Sequence, residues 1–192
     1  VYASLSPPYC SAFSPTRIAS TGNFDVPYRL VATINHQAIG AKINPAYLAG
    51  LIAQESAFDE KAVSSARALG LTQITASGEA EVIRDNSSWP RYPNINKMRT
   101  PMLRAKIMSG KINGQNEWRL NPELSVVGGL TYIQYLNDYW HRGSNLNIVS
   151  ANYKDPESIM SHLILASYNS GPTRVNYALQ EHGKRWLRDD DE

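Results

Sequence analysis

Asn44-Pro45-Ala46-Tyr47-Leu48-Ala49-Gly50-Leu51-Ile52-Ala53-Gln54-Glu55-Ser56 places an acid on the apolar side of a helix. Asn44 supplies an N-cap acceptor, and Pro45 suits the first helical position, where its missing N–H costs nothing. Leu48, Leu51, Ile52 and Glu55 then follow the i, i+3, i+4, i+7 spacing of one helical face, so the carboxyl points where the leucines point. Removal from water disfavours the anion, and so does a place in the last turn, at the negative end of the helix dipole. Both effects raise the pKa. A carboxyl that keeps its proton near neutral pH is the donor that general-acid cleavage of a glycosidic bond requires. Spacing alone leaves two readings open: such an acid, or a glutamate solvated at a frayed helix end.

Working outward, Ser56 leads into Ala62-Val63-Ser64 and then Gly70-Leu71-Thr72-Gln73. Far downstream come Asn121-Pro122-Glu123-Leu124, then Gly128-Gly129-Leu130-Thr131-Tyr132-Ile133, and finally Ala166-Ser167-Tyr168-Asn169-Ser170-Gly171-Pro172. Together these blocks resemble the soluble lytic transglycosylase (SLT domain) family of the lysozyme superfamily. That family's pattern runs Glu-Ser, Ala-Val-Ser, Gly-Leu-Met-Gln and Ala-Tyr-Asn-Ala-Gly. The resemblance extends from about Tyr28 to about Arg188 and is weakest between Asp85 and Leu120.

The resemblance implies a mainly α, lysozyme-like helical domain with a substrate cleft, acting on the glycan strands of peptidoglycan. Glu55 matches the catalytic glutamate, which family members use twice. It protonates the oxygen between N-acetylmuramic acid and N-acetylglucosamine, then takes a proton from the muramic 6-hydroxyl, which closes onto C1 to give a 1,6-anhydro sugar. The substrate's own N-acetyl group can stabilise the developing charge, a recognised exception to two-carboxylate glycosidase chemistry. Ser64 matches a serine whose hydroxyl can orient the acid, and Gln73 a glutamine whose amide reaches the sugar. Tyr168 and Asn169 match the Tyr-Asn pair, a phenol beside the acid and an amide able to tie a loop or meet an acetamido group.

Goose-type lysozymes, which are related hydrolases, carry an aspartate shortly after the Gly-Leu-Met-Gln block, whereas Gln73 here is followed by Ile74 and Thr75. Asp59 and Glu60 lie just past the helix and read as solvated. Three departures stand out. Thr72 replaces the usual Met, a β-branched hydroxyl for a flexible apolar chain; Arg67 and Leu69 stand where the family often has Gly and Arg; Ser170 replaces Ala. The first two make a different sugar fit, and a different backbone path after Ser64, the expectation.

The length of 192 residues suits one domain, read as 26–188, after a Ser- and Pro-rich lead-in at 1–25 and before an acidic tail at 189–192. Further helix starts are marked by Thr100-Pro101, Asn121-Pro122 and Asp155-Pro156. Other helices are expected from about Pro27 to Ala38 and after Ser77, with Glu79 and Glu81 in the first turn. A broken pair is expected around Ser170-Gly171-Pro172, stopping at Gly183. Tyr132, Tyr135, Tyr139 and Trp140 read as helix packing. Asn86 to Asn116, with Trp89 and Tyr92, is either one wall of the substrate cleft or an irregular connection with aromatic plugs.

No apolar stretch approaches the roughly 18 residues of a membrane span. The net charge of +2 is too small to argue for nucleic acid. Cys10 is the only cysteine, so no internal disulfide can form. Val1-Tyr2-Ala3 fits the small-residue end of a secretory signal peptide, and equally a trimmed chain. His36, His141, His162 and His182 lack ligand spacing, and no metal or cofactor is expected; no Gly-x-Ser-x-Gly elbow is present. The expected setting is the periplasm or cell envelope, or a secreted or phage-associated protein. The rivals are a lysozyme-type muramidase with the same acid, and a non-catalytic glycan-binding or structural component of a secretion or phage machine.

Overall fold

Asparagine side chains and prolines set where several of the helices begin. A computed structural model describes residues 26–187; the 1–25 lead-in with Cys10, and the 189–192 tail, lie outside that range. The α-helices are α1 (Tyr28–Gly40), α2 (Pro45–Ser56), α3 (Ala76–Asp85), α4 (Thr100–Met108), α5 (Pro122–His141), α6 (Gly143–Asn152), α7 (Glu157–Ser170) and α8 (Pro172–His182). Short 3-10 turns lie at Ile95–Lys97, Trp118–Leu120 and Gly183–Arg185. There is no strand among the described residues, so the mainly α fold class is borne out.

Two capping signals act as read. Asn44 Oδ1 accepts the Ala46 N–H at 2.9 Å with Pro45 opening α2, and Asn121 Oδ1 accepts the Leu124 N–H at 3.1 Å where α5 begins. Others shift. Thr75, not Ser77, caps α3, because its hydroxyl accepts from Gly78 N–H; this leaves Glu79 as the acid in the first turn. Thr100 is already helical and Arg99 precedes it without a side-chain cap. Pro156 precedes α7, also without one. The α7–α8 break falls at Gly171, whose φ of 84° only glycine adopts readily, and α8 stops at Gly183, as expected.

The described residues form two compact units, 26–132 and 133–187. In the first, α1 packs on α2, and Leu30, Ile34, Ala38, Leu48, Leu51 and Ile52 are buried. A second cluster gathers Leu69, Leu103, Ile107, Ile112 and Leu120 around α4. Leu69 is fully buried there, which accounts physically for an apolar residue where the family pattern has Arg: a guanidinium in that cluster would lie unpaired.

In the second unit α8 packs on α6 and α7. Trp140 is buried and its Nε1 donates to Ser167 Oγ at 2.9 Å, so its packing role is borne out. Asn176 Nδ2 donates to Asn145 Oδ1 at 3.0 Å, fastening α8 to α6.

Candidate active site

Helix α2 delivers Glu55 to its last turn, on the face that buries Leu48, Leu51 and Ile52. The chain then turns sharply. Ala57 (φ 50°) and Phe58 (φ 62°) are both left-handed, a costly conformation for two successive non-glycine residues. Ala57 N–H closes on Ala53 O at 3.0 Å, and the buried Phe58 ring anchors the bend. Glu55 itself is half-buried. Its Oε1 is cut off from solvent and accepts no hydrogen bond to replace the lost water, so desolvation lifts its pKa above the ordinary carboxylate value.

The segment after the bend is a knot of short antiparallel bridges, Val63 with Leu69 and Leu69 with Ile74. Ser64 Oγ accepts the Ala68 N–H at 3.0 Å and Ser64 N–H donates to Ala68 O at 3.1 Å. The hydroxyl therefore stabilises this turn. Gln73 is buried with a left-handed φ of 48°. Its Nε2 donates to Gly70 O at 2.8 Å and to Ala62 O at 3.2 Å. Ser64 and Gln73 are thus brought into one knot, both bonded to its backbone, and neither hydrogen-bonds the Glu55 carboxyl.

The departures become intelligible in this setting. Thr72 is fully buried, and its hydroxyl donates to Ser125 O at 2.9 Å on α5. A Cβ on Gly129 would come within 2.6 Å of the Thr72 methyl, so the threonine seats α5 against the knot and does not face sugar. Arg67 keeps a φ of 62°, the region glycine enters without strain.

Asp59, Glu60 and Glu79 are engaged elsewhere. Asp59 Oδ1 accepts the Lys61 N–H at 2.8 Å, and exposed Arg29 pairs with Glu60 at 2.7 Å. Glu79 lies 3.4 Å from Arg119. Tyr168 and Asn169 belong to the second unit, in the last turn of α7. Tyr168 is half-buried there, and exposed Asn169 donates to Leu165 O at 3.2 Å.

Sequence reasoning missed a buried ion pair in the first unit. Glu117 is fully buried and accepts from Arg119 Nε at 2.7 Å and Tyr92 N–H at 3.1 Å. Nothing in the local pattern marks a carboxylate for the interior; a Glu-x-Arg spacing is common on surfaces. Arg119 of this pair lines a cleft of about 530 Å³ together with Arg67, Glu79, Trp89, Arg91, Tyr92 and neighbouring residues. Trp89 and Tyr92 line this cleft, whose lining does not include Glu55.

Residues 32–107 match the family model described as Transglycosylase SLT domain. Over that stretch the match confirms the resemblance read from the motifs. The SLT match takes in most of α1, all of α2 and α3, and nearly all of α4, and with them Glu55, Ser64 and Gln73, whereas Tyr168 and Asn169 lie beyond it. An SLT domain implies transglycosylase-type enzyme chemistry on peptidoglycan. No curated protein and no solved structure matches the chain. No described helix is long and apolar enough to cross a membrane.

Proposed function

We propose that the chain is a peptidoglycan lytic transglycosylase that cleaves the β-1,4 bond between N-acetylmuramic acid and N-acetylglucosamine, with Glu55 as acid and then base. One observation carries this reading: within the SLT match, the acid is half-buried, unpartnered at Oε1 and raised in pKa by desolvation. A carboxyl so placed holds its proton until a glycosidic oxygen takes it. As that C1–O bond breaks, the acetamido oxygen of the muramic residue closes onto C1. The Glu55 carboxylate then removes the 6-hydroxyl proton, the 6-oxygen displaces the acetamido oxygen at C1, and the acid is regenerated with a 1,6-anhydro end on the sugar.

The Ser64–Gln73 knot, which follows the acid along the chain, is held in one conformation by its internal hydrogen bonds, which supports a positioning role. Tyr168 and Asn169 enter the proposal through the motif resemblance alone, as a phenol near the acid and a sugar-facing amide. The proposed setting is the periplasm or cell envelope, or a secreted or phage-associated protein.

The rival reading, a glycan-binding or structural component without turnover, is tested with isolated peptidoglycan sacculi. The protein is expected to release many soluble glycan fragments per molecule. Saturable binding without release would contradict the proposal.

A further inference from the structure

The cleft walled by Trp89 and Tyr92 has a charge balance that the reaction at Glu55 does not use. Of its arginines, Arg119 is neutralised by Glu117 and Glu79. Arg67 and Arg91 pair with no carboxylate among the described residues. Arg67 Nε is removed from solvent without a hydrogen-bond partner. Its backbone holds the left-handed conformation that favours glycine, at a position where the family pattern often has glycine. Arg67 thus lines the cleft against backbone preference, with one donor unsatisfied inside the protein and no carboxylate partner for its guanidinium.

The walls are preformed. Glu117 fixes the Tyr92 N–H at 3.1 Å, and Trp118 N–H donates to Pro90 O at 2.8 Å. Trp89 leans on Trp118 with ring centroids 5.1 Å apart. Asn94 and Asn96 add amide groups along the same cleft. A planar guanidinium fork, flanking aromatic rings and amides together suit a carboxylate on a short peptide better than a neutral sugar.

We propose that this cleft is a subsite for the peptide carried by peptidoglycan strands, with Arg67 binding one of its free carboxylates. The inference rests on the transglycosylase reading for its choice of peptide.

The test is calorimetric titration of the full chain with a muramyl dipeptide bearing a free carboxylate, its carboxamide analogue, inorganic phosphate and an N-acetylglucosamine tetramer. The nuclear magnetic resonance signal of the Trp89 indole reports occupancy of the cleft. The acid is expected to bind at least about tenfold more tightly than the amide and to shift the Trp89 signal, with phosphate far weaker. Arg67→Gly, which relieves the backbone and so keeps the thermal melt, is expected to erase the acid–amide difference; Arg67→Lys is expected to retain part of it. Equal affinity for acid and amide, a difference that survives Arg67→Gly, or phosphate binding as tightly as the peptide would overturn the subsite. If the tetramer binds and sacculi are cleaved while acid and amide bind alike, the subsite fails and the transglycosylase reading stands; if sacculi are not cleaved while the acid–amide difference holds, the reverse follows.

Discussion

Glu55→Gln is expected to lower peptidoglycan lysis by roughly 100-fold or more, the range of a lost general acid, while the helical circular dichroism stays as in the parent. The amide keeps the size and the place at the end of α2 and removes the transferable proton. Because desolvation raises the Glu55 pKa, the parent's kcat/KM should fall as pH rises through that raised value, and this limb should be absent from any residual activity of the variant. The stability sign follows from the same shift. A carboxyl whose folded pKa lies above its unfolded one favours folding fully below the unfolded pKa, and this contribution is lost as pH rises through the folded pKa. Glu55→Gln should therefore be no less stable than the parent at neutral pH. Near-parental lysis by the variant would remove Glu55 from the chemistry.

Gly70→Ala is expected to cost the fold about 3 kcal/mol or more, combining overpacking with the penalty of a left-handed non-glycine residue. Gly70 has a φ of 71°, and a Cβ there would sit 1.8 Å from Arg119 O. That carbonyl cannot retreat easily, since Arg119 is buried and held by Glu117. Gly70 O also receives the Gln73 amide, so a shift would loosen the Ser64–Gln73 knot. Against a typical domain stability of about 5–15 kcal/mol, this is a large fraction, visible as a thermal midpoint lowered by roughly 10 °C. Gly50→Ala is the contrast: nothing lies within 4 Å of its Cβ position in α2, and helix propensity predicts a gain of about 0.5–1 kcal/mol. Equal melting of the two variants would contradict the described packing of Gly70 on Arg119.

Where a signal is local, the sequence carries it. Asn44 caps α2 with its own side chain, and the i, i+3, i+4, i+7 spacing puts Glu55 on the buried face, so both the helix and the acid are legible. Helix α6 has no such mark. Arg142 precedes it without a side-chain cap bond and only Val149 of its residues is buried, leaving little periodicity to read. Thr100 and Asp155 look like caps, but the helices they introduce make no side-chain cap bond, because a capping residue type permits that bond without requiring it.

Tertiary partners are the main loss. Thr72 reads as a change in sugar contact until Ser125 and Gly129 of α5, more than fifty residues on, are seen to hold it. Glu117 reads as a surface acid until Arg119 and the Tyr92 backbone enclose it. The motif names the residues after the acid, whereas only the folded chain shows that Ser64 and Gln73 bond to their own loop.

The central claim, that the muramic 6-hydroxyl and not water attacks C1, is tested most directly by digesting peptidoglycan in oxygen-labelled water and weighing the glycan fragments by mass spectrometry. Burial lifts the pKa of the Glu55 carboxyl, and Thr75, where related hydrolases keep an acid near this block, caps α3. Fragments ending in 1,6-anhydro-N-acetylmuramic acid, without a reducing end and without label, are the predicted result. Labelled reducing ends as the main product would contradict it and make the chain a lysozyme-type muramidase, with Asp59 and Glu79 the first carboxylates to replace.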